Sequence, residues 1–207
     1  MTSLPTGIDV LDRKLNGGIP PGRLVVLSAS PTSQSELFLY EVASVRETIY
    51  VTTERSVTAV EETLDGIGTD RRTVSVHGTG EDPLATVTEL LDDVGDRTAF
   101  IVDPVCPLEQ ESDPAAYRQF LNDLTDRMIE TGSIAVLHCL DRRTVPENRD
   151  TTEYMADIVF DLSTDVRGDS LENRLVVPKF RGGSALDEMI KLNLAADVTI
   201  DISRKIA

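Results

Sequence analysis

Thr6-Gly7-Ile8-Asp9-Val10-Leu11-Asp12-Arg13-Lys14-Leu15-Asn16-Gly17-Gly18-Ile19-Pro20-Pro21-Gly22 decides how the rest of the chain is read. Ile8, Leu11 and Leu15 recur at spacings of three and four, the mark of one apolar face on a short helix. Gly17 and Gly18 end that helix with a backbone that glycine adopts easily. Pro20 to Gly22 then turns the chain into the apolar run Leu24 to Ser28, which reads as a first core strand.

Outward from there, short β-rich runs alternate with helical stretches. A helix is expected from about Ser35 to Ser44, a strand at Thr48 to Thr53, and a helix over Ser56 to Ile67 with Thr58 and Glu61 spaced as a capping box. Arg72 to His77 reads as a short strand. Asp82-Pro83 and Asp113-Pro114 each combine an N-cap with a proline suited to a first helical turn. They start helices reaching about Val94 and Thr131. Ala99 to Asp103 and Ser133 to Leu140 are apolar strands. Such alternation predicts an α/β fold with a mostly parallel sheet flanked by helices. Beyond a polar loop, Asp141 to Thr152, strands follow one another: Ile158 to Leu162, Arg174 to Phe180, Met189 to Leu194 and Val198 to Ile202, with turn chemistry at Arg167-Gly168-Asp169 and Arg181-Gly182-Gly183. An antiparallel C-terminal extension of the sheet is expected, in one domain over 1–207.

The opening segment resembles the KaiC and RadA group of RecA-like NTPases, whose pattern TGI-x-x-LD-x-x-L-x-GGIP-x-G precedes the first core strand. Further segments carry the same resemblance. Ile49 to Glu54 is similar to the second core strand and its following acid, and Phe100-Ile101-Val102-Asp103 to the Walker B strand. Met155 to Leu162 resembles an ADxVxxL strand, and Arg174 to Gly182 an R-x-x-x-V-x-K-x-R-G segment. The resemblance implies a RecA-like, P-loop NTPase type fold.

It also implies a phosphate-binding loop, G-x-x-x-x-G-K-[ST], after the first strand. Its glycines let amides close on phosphate oxygens, its lysine neutralises them and its hydroxyl holds Mg²⁺. This chain has Ala29-Ser30-Pro31-Thr32-Ser33-Gln34-Ser35-Glu36 there. Ala29 and Gln34 stand for the glycines, Ser35 for the lysine and Glu36 for the hydroxyl. A degenerate Walker A loop with no resident cofactor is therefore expected. ATP with Mg²⁺ enters only if another cation serves the phosphates, with Glu54 as remnant base and Asp103 on the metal. The family places a second glutamate after Glu54, where this chain has Arg55. Asp103 would otherwise bond loop backbone. Lys179 and Arg181 match the K-x-R pair that reaches a neighbour's γ-phosphate in ring-forming relatives. The other reading of that pair is charge on an exposed hairpin.

Thirty-six acidic against twenty basic residues give a net charge of −16, and the bases are four lysines and sixteen arginines. An acidic, lysine-poor surface fits a halophilic, haloarchaeal cytoplasm, where molar salt shortens the Debye length to about 3 Å. It disfavours nucleic acid as a partner. A basic face of Arg142, Arg143, Arg167 and Arg174 would reverse that. No apolar run is long enough to span a membrane, and Met1 to Pro5 lacks the basic-then-apolar pattern of a signal peptide. Cys106 and Cys139 read as small buried residues. With only His77 and His138, a histidine metal site is not expected. His138-Cys139 reads as a buried core pair, with no histidine placed to activate Ser30, Ser33 or Ser35. Three functions remain open. The first is a non-catalytic, regulatory or scaffolding RecA-fold domain, in signalling or transcriptional control, with a protein partner or as a homo-oligomer. The others are a divergent active ATPase and a recombinase-paralogue protein on DNA.

Overall fold

The structure, a computed structural model, describes residues 2–67, 73–111, 113–167, 170–183, 186–194 and 198–200. Nine strands form one sheet in the order β3-β2-β4-β5-β1-β6-β7-β8-β9. The strands are β1 (Arg23–Ala29), β2 (Thr48–Thr52), β3 (Val74–Gly78), β4 (Ala99–Asp103), β5 (Ile134–Leu140), β6 (Ile158–Arg167), β7 (Ser170–Phe180), β8 (Leu186–Leu194) and β9 (Val198–Ile200). From β3 to β6 every pairing is parallel. From β6 to β9 every pairing is antiparallel. The expected α/β class, mostly parallel with an antiparallel C-terminal extension, is the one observed. Gly168, Asp169, Asp201 and Ile202, parts of the expected turn and last strand, lie outside the described residues.

Period two along the parallel strands divides the core between the two faces. Val25, Leu27, Ile101, Ile134 and Val136 pack on one side, with α1 (Asp9–Lys14), α2 (Glu36–Ser44) and α3 (Val57–Gly66). Leu24, Val26, Phe100, Val102 and Leu137 pack on the other. That side is covered by α4 (Pro83–Glu89), α5 (Cys106–Glu111) and α6 (Pro114–Thr131), while α7 (Arg149–Met155) closes its end near β1. Ile8, Leu11 and Leu15 are buried as their spacing required. Gly18 has φ +107°, and a Cβ there would stand 2.1 Å from the Leu4 carbonyl oxygen. That closeness lets Leu4 and Ile19 exchange two backbone hydrogen bonds, pinning the opening segment to the domain.

Three local expectations change. The cap of α3 is Ser56, whose side chain accepts from the Ala59 amide, so Thr58 lies inside the helix and forms no capping box. The helix after Asp82-Pro83 stops at Glu89 and continues as one 3₁₀ turn, Leu90–Asp93. The loop expected over Asp141 to Thr152 contains the start of α7, held by a buried ion pair between Arg149 and Glu109 of α5.

Candidate functional site

Parallel strands deliver their carboxyl ends to one edge of the sheet, where open α/β folds place their ligand sites. Tyr50 on β2, Asp103 on β4 and His138 on β5 stand on the α2 side there. Asp103 continues the face of Ala99 and Ile101, and His138 that of Ile134 and Val136. The β4–β5 register ends at Val102 opposite Leu137, so Asp103 and His138 come next, side by side. Above them the loop after β1 brings Ser35 to the N-cap of α2.

The four side chains form one chain of hydrogen bonds. Tyr50 donates its hydroxyl to Asp103 Oδ2 at 2.5 Å. His138 Nδ1 lies 2.6 Å from Asp103 Oδ1, and His138 Nε2 lies 2.9 Å from Ser35 Oγ. Ser35, Asp103 and His138 are all buried, as is Tyr50. Burial pushes the Asp103 carboxyl up. The hydrogen bonds from His138 and Tyr50 and the charge of Arg55 outweigh it, and the net direction is down. Burial, reinforced by the Asp103 charge, pushes the Tyr50 phenol well up, so it remains a donor. An ionised carboxylate only accepts, which sets Nδ1 of His138 as the donor to Asp103 and turns Nε2 toward Ser35 Oγ. Ser33 Oγ is 2.7 Å from the Ser30 carbonyl and 3.1 Å from Ser35 Oγ.

A cavity of about 240 Å³ opens onto this chain, lined among others by Ser35, Glu36, Glu54, Arg55, Asp103 and His138. Glu54 pairs with Arg142. Arg55 donates to the Tyr40 hydroxyl at 2.8 Å and to Thr63 Oγ1 at 3.1 Å. Glu36 has no ion-pair partner among the described residues. Ser30 bonds Thr32 within the loop, and Ala29 accepts the Asp141 amide at 2.8 Å. Pro31 also lines the cavity.

Two expectations are overturned here. Ser35 does have a histidine beside it, because β5 and β1 are neighbours and the loop after β1 folds back over the end of β5. Asp103 bonds side chains rather than loop backbone through its carboxylate. His138 and Cys139 are both buried, but on opposite faces: Cys139 Sγ stands 3.9 Å from Glu109. Burial pushes the thiols of Cys106 and Cys139 up. Lys179 and Arg181 stand apart from the cavity at the end of α7. Lys179 Nζ donates to the Glu153 and Tyr154 carbonyls at 2.7 and 2.8 Å, Arg181 donates to the Tyr154 carbonyl at 2.6 Å, and both lie over the Tyr154 ring. Of the arginines expected as a basic face, Arg142 is held by Glu54 and Arg174 by Glu172 and Asp165.

A family model described as "Family of unknown function (DUF7125)" matches residues 3–207. The chain belongs to that family. Among curated proteins, DNA repair protein RadA of two Mycobacterium tuberculosis strains is 34% identical over 106 residues, 49% of this chain. The chain spans only 22% of the length of those relatives. Among solved structures, a KaiC-like protein from the hyperthermophilic archaeon Pyrococcus horikoshii OT3 superposes with a TM-score of 0.78 at 14% identity, over 96% of this chain and 98% of that one. This chain thus has the KaiC-like RecA fold. No helix among the described residues is long and apolar enough to cross a membrane.

Proposed function

We propose that the chain is a KaiC-like RecA-fold domain that does not hydrolyse nucleotide, has lost or weak nucleotide binding, and acts as a regulatory or scaffolding protein. One observation carries the reading: each Asp103 carboxylate oxygen is bonded to a side chain, Tyr50 or His138, with Ser35 and Glu36 on the loop above. A Mg²⁺-orienting aspartate turns its acceptor capacity to the metal's water shell, whereas here half of it is committed to Tyr50 and His138. A phosphate loop also needs a cation at its helix end. Two unit charges about 4 Å apart at an effective dielectric near 20 interact by about 4 kcal/mol. With serine for lysine that attraction is absent, and Glu36 adds repulsion toward any phosphate in the cavity. The α2 N-terminus still favours an anion, by only about 0.3–1 kcal/mol. The residues present do not fit Mg-ATP.

A protein partner or second copy fits the surface better than nucleic acid does. The chain is strongly acidic, and Arg142 and Arg174 are already paired with carboxylates. Val166 and Leu171 face each other across β6 and β7 while 76% and 69% exposed.

Calorimetry of Mg-ATP and Mg-ADP in molar KCl tests the reading. The wild type is expected to give no binding heat, and the Ser35→Lys, Glu36→Thr variant to recover part of it. Micromolar binding by the wild type, or ATP hydrolysis that disappears in Asp103→Asn, would overturn it.

A further inference from the structure

We propose that Ser35 is the nucleophile of an acyl-transfer site, with His138 as general base and Asp103 holding the imidazole, and that the site hydrolyses esters of small neutral acyl groups. This goes beyond the absence of nucleotide chemistry, since it assigns a different chemistry to the same loop.

The geometry meets the requirements of nucleophilic catalysis one by one. Serine needs a base within hydrogen-bond reach and a third group to orient that base. Here the distances are 2.9 Å from Ser35 Oγ to His138 Nε2 and 2.6 Å from His138 Nδ1 to Asp103 Oδ1. Tyr50 secures the far oxygen of Asp103, so the carboxylate cannot rotate away from the ring without losing a buried bond. The nucleophile sits where the loop after a parallel strand enters a nine-residue helix. The amides of Ser35 and Glu36, which have no acceptor among the described residues, are donors available to an oxyanion.

The cavity defines the substrate class. Its volume, about 240 Å³, leaves room for a small acyl group beside Ser35. Glu54 is neutralised by Arg142, Glu36 has no ion-pair partner among the described residues, and Arg55 is bonded to the uncharged Tyr40 and Thr63 hydroxyls. One charge of each sign thus faces a ligand, which suits a neutral acyl group.

The reaction balances with water as co-reactant. As Ser35 Oγ bonds to the acyl carbon, His138 Nε2 takes the hydroxyl proton. The ester C–O bond then breaks, and that proton passes from Nε2 to the departing alcohol. Water attacks the acyl-serine and gives a proton to Nε2. The Oγ–acyl bond breaks, Oγ recovers the proton, and a carboxylic acid leaves.

The test uses the full chain without nucleotide, so its outcome is independent of the calorimetry. The native protein is treated with diisopropyl fluorophosphate and read by intact mass and peptide mapping; p-nitrophenyl acetate hydrolysis is followed in parallel. One adduct on Ser35 is expected, with esterase activity that falls to background in Ser35→Ala. Asp103→Asn should lower the rate by about 10²–10⁴-fold, since the imidazole would then favour the wrong tautomer. Ser44→Ala, an exposed serine at the far end of α2, should label like the wild type. Thermal melts establish that each variant is folded. A native wild type that takes no adduct on Ser35, or takes it no faster than the heat-denatured chain, overturns the proposal whatever the variants do. So does hydrolysis that persists in folded Ser35→Ala.

Discussion

Replacing Arg149 by methionine should cost more stability than any exposed substitution in the chain. Arg149 is buried, and Glu109 is completely so. Their contact is bidentate, with Nε 3.0 and 3.1 Å from the two carboxylate oxygens and Nη2 2.9 Å from Oε2. Thr152 donates to Glu109 Oε1 at 2.6 Å, and the Tyr117 hydroxyl is 2.8 Å from Thr152 Oγ1. Burial alone would lower the guanidinium pKa, but the Glu109 hydrogen bonds reverse this and the net direction is up. Methionine fills much the same volume but leaves Glu109 charged, buried and short of its strongest partner. Breaking a buried pair from one side costs about 3–5 kcal/mol. At about 2–4 °C per kcal/mol for a chain of this size, Tm should fall by roughly 6–20 °C. Adding Glu109→Leu removes the stranded charge and should recover most of the loss. Urea unfolding at pH 7 of the wild type, both single variants and the pair closes the cycle. A loss below about 1 kcal/mol in Arg149→Met, or a double variant no more stable than that single one, would refute the argument from desolvation.

Three further outcomes follow from the structure. Tyr50→Phe strands Asp103 Oδ2 without its donor and should cost about 1–3 kcal/mol in urea unfolding. Because the Asp103 pKa is depressed in the folded state, its stabilisation is present above an unfolded-state value of about 3.9 and is lost as pH falls through the lower folded value. The stability gap between wild type and Asp103→Asn should therefore narrow below about pH 4 in acid titrations followed by circular dichroism. Gly18→Ala meets the Leu4 carbonyl at 2.1 Å and should lower Tm well below that of Gly17→Ala, where the φ is similar, +110°, but the nearest atom is Ser3 Cβ at 3.9 Å. Equal melting of the two alanine variants would mean that backbone strain rather than the Leu4 contact sets the requirement.

What could be read from sequence was what short-range chemistry decides. Asp82-Pro83 and Asp113-Pro114 do cap α4 and α6, with the carboxylates accepting from Ala85 and from Ala115 and Ala116. The central strands β1, β4 and β5 were legible because each is an apolar run. The helix α7 was not, because no side-chain cap starts it. Its first residue is an arginine that looks like loop until Glu109, forty positions earlier, is seen to bury it. The site was hidden for a similar reason. Ser35 and His138 are 103 positions apart, and only the strand order brings them together. A signal was nonetheless present. With β4 beside β5, as in the family resembled, period two puts the acid that ends one strand and the histidine near the end of the next on the same face, toward the helix after β1.

That arrangement sets two chemistries in competition for one carboxylate. Both Asp103 oxygens are bonded within the protein, to Tyr50 and His138, so a metal's water shell would compete for their remaining lone pairs. Ser35, at the lysine position, places a hydroxyl where a phosphate would need a cation, and that hydroxyl is turned onto the imidazole. Of the four departures from the phosphate-loop pattern, the one at Ser35 contributes a bond to the serine–histidine–aspartate chain. Among the atoms of Tyr50, Asp103, His138 and Ser35, the side-chain oxygens and ring nitrogens are all satisfied. Asp103→Asn is accordingly the most informative single change, because it keeps the shape of the site while disturbing the tautomer on which the serine depends.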